Sequence, residues 1–100
     1  MFNKKSAVLL FVSCLSVSSM SLALEITQAT MLANSCAACH GTFGKSPGAI
    51  PAINGKSAKF IVQSLKDFQS GKRPSTVMGR HASGYSEQEI QLIAEFFSKH

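Results

Sequence analysis

A chain of 100 residues with ten Lys and Arg against five Asp and Glu has room for one small domain, and its net charge of +5 is too mild to argue for nucleic acid. No strand-like alternation of any length appears. With so few carboxylates, three of them on the last expected helix, the inventory is thin for acid–base catalysis.

Residues 1–23 read as a secretory signal. Lys4 and Lys5 precede an apolar stretch over residues 7–17, and Ser21-Leu22-Ala23 supplies small residues for cleavage. The stretch is short and followed by serines, and nothing after Leu24 nears a membrane span, so no transmembrane anchor is expected once the signal is removed. The sequence around Cys14 vaguely resembles a lipoprotein processing site. Phe11 stands where leucine is usual, however, and Cys14 is expected to leave with the signal. The expected domain is then residues 24–100, of 77 residues and net charge +3, exported to the periplasm. A domain this small needs a staple.

Three segments have helical period. Over residues 26–36, Ile26, Ala29, Ala33 and Cys36 recur at three and four residues, with Thr27 as a possible cap. Over residues 58–70, Ser57 is positioned to cap a stripe of Ile61, Leu65 and Phe68 that Gly71 stops. The third begins at a capping box, Ser86 with Glu89, with Tyr85 able to staple onto Ile90; Ile90, Ile93, Ala94 and Phe97 continue one apolar face. Residues 41–56 and 72–84, rich in Gly, Pro and Ser, read as loops. Two long loops in so small a domain are costly to order, so something large and apolar must fill the middle.

Cys36-Ala37-Ala38-Cys39-His40 names that filler, because it is the attachment pattern for c-type haem. Two thiols three residues apart can add to the porphyrin vinyl groups while the next residue brings an imidazole under the iron. A zinc site would need further ligands, and a thioredoxin-type pair would need a strand–helix context. For a second axial ligand the sequence offers Met31, Met78, His81 and His100. Met31 shares a helix with the cysteines and is expected to pack in the core. His100 is expected to fray into solvent, and His81 to be an exposed loop residue. Met78, flanked by Val77 and Gly79, is the expected ligand, with a glycine that lets backbone approach closely.

These residues resemble the class I c-type cytochromes. Cys36 to His40 matches the haem motif, Met78 the distal methionine, and Pro51-Ala52-Ile53 the segment whose proline carbonyl accepts a bond from the proximal imidazole. The stretch from Ser75 to Arg80, with Gly84-Tyr85-Ser86, resembles more closely the cytochrome subunit of flavocytochrome c sulfide dehydrogenase. Known members of that subunit family carry two haem domains, whereas this sequence has one motif.

The resemblance implies an all-α fold of three main helices and two long loops around one covalent haem c. Cys36 and Cys39 would hold it, His40 and Met78 would ligate the iron, and the Pro51 carbonyl would orient His40. Arg80 is a possible partner for a haem propionate, a role that suits its fork. The function implied is transfer of single electrons in the periplasm, received from an FAD-containing sulfide dehydrogenase subunit. The alternatives are a free carrier between a quinol-oxidising complex and a terminal oxidase or reductase, and, in a different class, a gas-binding or peroxidase-like haem module. Catalysis by this chain alone is not expected, and other periplasmic redox proteins are the remaining expected partners.

Overall fold

A computed structural model describes residues 27–100, which form four α-helices and no strands. The expected signal and Cys14 lie outside the described residues. Helix α1 spans Gln28–His40 and starts where the Thr27 side chain accepts from the Thr30 amide at 3.2 Å. It continues through both cysteines to His40 and stops at Gly41, whose φ of 86° is one that glycine reaches without strain. A single 3₁₀ turn, Thr42–Gly44, follows.

Helix α2, Ala58–Ser70, is capped by Ser57, which accepts from the Phe60 amide at 3.1 Å, and ends at a left-handed Gly71. Helix α3, Met78–Ser83, occupies part of the segment expected to be loop. Its first residue follows Val77, which offers no capping side chain, and it holds instead through contacts from outside the helix. Ser75 Oγ accepts from the Gly79 amide at 2.8 Å, and Gln69 Nε2 donates to the carbonyls of Ala82 at 2.8 Å and Tyr85 at 3.0 Å. Helix α4, Glu87–Ser98, opens on the full capping box of Ser86 and Glu89.

Helix α1 packs across α4, and α2 packs against both α3 and α4. Ala33 and Cys36 of α1, Ile61 and Leu65 of α2, Ala82 of α3, and Ile90, Ile93, Ala94 and Phe97 of α4 form one buried cluster. Phe97 is fully buried and occupies its centre, and burying a side chain of that size stabilises by roughly 2–3 kcal/mol. The long segment between the 3₁₀ turn and α2 is tied to this cluster by backbone bonds. The Gly44 carbonyl accepts from Ile53 at 2.9 Å and Asn54 at 3.3 Å, and the Gly55 amide donates to the Phe97 carbonyl at 3.0 Å. Those bonds bring residues 49–53 over the C-terminal end of α1.

Candidate haem site

Cys36 and Cys39, three residues apart, share one side of the last turns of α1, and His40 follows one turn after Cys36. All three line a cavity of about 810 Å³ whose other walls come from residues 49–53, from α2 and from the start of α3. Met78 lines it from α3, so the structure brings the thioether, both thiols and the imidazole to one cavity. Its surface is mostly apolar, with Phe60, Ile61, Leu65, Phe68 and Ile93 contributing, and among the described residues no Asp or Glu lines it. The volume sits toward the upper end of small-molecule sites.

His40 is oriented by a single contact. Its Nδ1 lies 2.6 Å from the Pro51 carbonyl oxygen. A carbonyl only accepts, so Nδ1 carries the proton and Nε2 keeps the lone pair that a metal needs. Pro51 has no amide hydrogen to compete, and its fixed φ stiffens the segment that presents the carbonyl.

The two thiols differ. Cys36 is buried and Cys39 exposed. Burial pushes the Cys36 thiol up, opposed by hydrogen bonding from Ser35 and Tyr85, whose hydroxyls lie 2.7 Å apart. Among the described residues no group of three or more His, Cys, Asp or Glu side chains is arranged to hold a metal ion. Two thiols on one helical side, an imidazole with a free Nε2, a thioether and apolar walls form a donor set that fits a covalently attached haem.

Several sequence expectations are corrected. Met31, expected in the core, is 61% exposed. Five residues turn a helix by about 140° beyond a full revolution, which carries Met31 away from the side that buries Cys36. His81 is exposed as expected, but it lies on α3 rather than in a loop and lines the cavity together with Met78, three residues earlier on the same helical side. Arg80 is exposed and outside the cavity wall, because two residues on from Met78 is about 200° round the helix. The arginine that lines the cavity is Arg73. His100 stacks on Phe43 at 4.8 Å and meets Phe96 at 4.5 Å between ring centroids, beside a separate cavity of about 500 Å³. Phe43 has φ of 54°, which no sequence signal announced. Phe60 and Phe68 wall the cavity, and the spacing Phe60, Ser64, Phe68 is the sequence sign of that side of α2.

The family model for cytochrome c matches residues 26–100. This chain belongs to the cytochrome c family. As a member it carries covalently bound haem c, and its Cys36-to-His40 spacing is the one that such attachment requires. It is 58% identical over 67 residues to the cytochrome subunit of sulfide dehydrogenase of Chlorobaculum tepidum, covering 67% of this chain and 61% of that protein. It is 37% identical to the thiosulfate dehydrogenase electron acceptor of Stutzerimonas stutzeri, covering 63% of this chain and 31% of that protein. A match to cytochrome c-553 of Helicobacter pylori, 36% identical, covers 74% of this chain and 79% of that protein. The chain thus spans less than two thirds of the first two relatives. Among the described residues no helix is long and apolar enough to cross a membrane.

Proposed function

We propose that this chain is an exported electron-transfer cytochrome of the periplasm that accepts single electrons from an FAD-containing sulfide dehydrogenase subunit. Haem bound in the cavity supplies a one-electron couple whose potential follows from axial ligation and burial. Cys36 and Cys39 anchor it covalently. His40, with its Nδ1 proton held by the Pro51 carbonyl, would hold the haem iron through Nε2, and Met78, which lines the same cavity, would hold it through its sulfur. A thioether is a weak donor, and the apolar walls disfavour added positive charge, so this ligand pair favours the reduced state. Phe60, Phe68 and Ile93 contribute apolar surface to the cavity wall.

The observation that carries this reading is the meeting of Met78 with the complete Cys36-to-His40 motif at one apolar cavity. The choice of donor is supported by the 58% identity to a sulfide dehydrogenase cytochrome subunit. The test mixes oxidised cytochrome with the flavoprotein and sulfide and follows haem reduction. Rapid reduction requiring both proteins supports the assignment. Reduction only by a quinol-oxidising complex overturns it in favour of a free carrier. Ligation is tested separately with Met78→Ala, which is expected to keep covalent haem but lose the far-red charge-transfer band of ferric methionine ligation. A mutant that kept the band would remove Met78 from the role.

A further inference from the structure

We propose that Arg73, steadied by Phe68 and Ser64, is the residue that holds a haem propionate carboxylate in this protein. The inference rests on haem occupying the cavity, and it concerns which side chain meets the acidic edge of the porphyrin.

The side of α2 that faces the cavity is a ladder. Phe60, Ser64 and Phe68 follow one another at intervals of four residues, and all three line the cavity. A cation rests on each end of it. Lys56 Nζ lies 5.4 Å from the centroid of Phe60, and the Arg73 guanidinium carbon lies 4.8 Å from that of Phe68. Eight helical residues separate the two rings by about 12 Å, so the cations stand at opposite ends rather than forming one cluster. Among the described residues they are also the only lysine and arginine that line the cavity.

Arg73 is the better organised of the two. Left-handed Gly71 reverses the chain after α2, and the Arg73 amide then donates to the Asp67 carbonyl at 3.1 Å, which lays the residue back along the helix it has just left. Pro74 next in sequence restricts Arg73 to extended backbone. The guanidinium donates from Nη1 to Ser64 Oγ at 3.4 Å. Packing on Phe68 and the bond to Ser64 fix the plane of the fork before any ligand arrives.

That fork has unspent donors. Among the described residues the one ion pair is Lys66 with Glu87, so none of their carboxylates takes the Arg73 charge. A guanidinium carries five N–H groups, and Ser64 takes one. The remaining donors border a cavity that has no Asp or Glu in its wall. Carboxylate is the anion whose two oxygens match such a fork, and the haem carries its carboxylates on one edge of an otherwise apolar ring. Arg80 has the same charge but points from the other side of α3, outside the cavity wall.

The test compares the midpoint potential of the covalent holoprotein in Arg73→Gln, Arg73→Lys and Arg80→Gln. A carboxylate left without its cation stabilises ferric haem, so Arg73→Gln should lower the potential by a tenfold shift of the one-electron equilibrium, about 59 mV. Arg73→Lys, which keeps charge and loses the fork, should fall by less. Arg80→Gln should stay near wild type. The Arg73→Gln shift should persist at high salt, because a contact charge is screened less than an exposed one. If Arg73→Gln accumulates poorly, Arg73→Lys carries the comparison. An unchanged potential in Arg73 variants that retain covalent haem, or an equal fall in Arg80→Gln, overturns the contact. Wild-type protein without covalent haem would instead overturn the reading of the cavity.

Discussion

The seam between α1 and α4 and the wall that α2, α3 and residues 49–53 turn toward the cavity use similar apolar side chains and bury them very differently. In the seam Ala33, Ile90, Ala94 and Phe97 are at most 1% exposed. Around the cavity Ile50 is 43%, Phe60 50% and Val77 65% exposed. The seam is closed by protein alone, whereas the wall is a half-interface whose apolar surface needs another body against it. Haem c is that body, and two regions of one small domain therefore depend on different things.

The sharpest way to break this contrast is to remove the covalent anchors. The double variant Cys36→Ser, Cys39→Ser should lose most of its folded protein, because 77 residues after the expected signal cannot close the cavity side unaided. Circular dichroism of the purified chain, with a haem stain as control, checks it. A well-folded haem-free variant would mean that the seam alone holds the fold. Next in size is Phe97→Ala in the seam. Truncating a fully buried phenylalanine costs about 3–5 kcal/mol, and the holoprotein should unfold at markedly lower denaturant.

Gly44 joins the two regions and tests whether they are coupled. A Cβ there would meet Ile53 Cγ1 at 2.7 Å and Phe97 Cδ1 at 3.0 Å, at a φ of 73° that L residues avoid. Its carbonyl also accepts from both Ile53 and Asn54. Strain and overpacking together should cost roughly 2–4 kcal/mol in Gly44→Ala. Coupling predicts a second effect, displacement of residues 51–53 and a weaker hold of the Pro51 carbonyl on His40. A shifted haem spectrum alongside lowered stability supports coupling; a stability loss with an unchanged spectrum separates the regions.

Much of the helical frame was legible in the sequence because its signals are local. The Ser86–Glu89 capping box, Ser57 before α2 and Gly71 after it act within one turn, and the structure uses all three. The cavity side was legible in chemistry but less so in shape. The spacing of Cys36, Cys39 and His40 announced the haem, yet α3 was hidden, since Met78–Ser83 contains Gly79 and has no capping side chain. It forms because Ser75 and Gln69, the latter on α2, satisfy its amide and its carbonyls, and such contacts leave no local pattern. Without α3 the phase of Met78, Arg80 and His81 was unreadable. Phe43 and His100 were missed for a related reason, as their stacking depends on a positive φ at Phe43.

The smallest expected effect probes the join between the regions at Tyr85. Its hydroxyl lies 2.7 Å from Ser35 Oγ, on the turn of α1 just before Cys36, while its backbone carbonyl accepts from Gln69 of α2. Tyr85→Phe removes the hydroxyl and keeps the ring, including its edge contact with His81 at 6.3 Å between centroids. Ser35 is exposed and also donates to the Leu32 carbonyl at 2.8 Å, so it loses one partner without being stranded. The cost should be about 0.5–1 kcal/mol, that of an ordinary hydrogen bond rather than of an orphaned buried group. Hydrogen exchange on the holoprotein locates where it falls. If the α1–α4 seam is self-sufficient, Tyr85→Phe should speed exchange at the C-terminal half of α1 while amides of Ile93 and Phe97 keep their protection. Uniform acceleration across α4 would show instead that this hydroxyl holds the seam itself, and the two regions would then have to be treated as one.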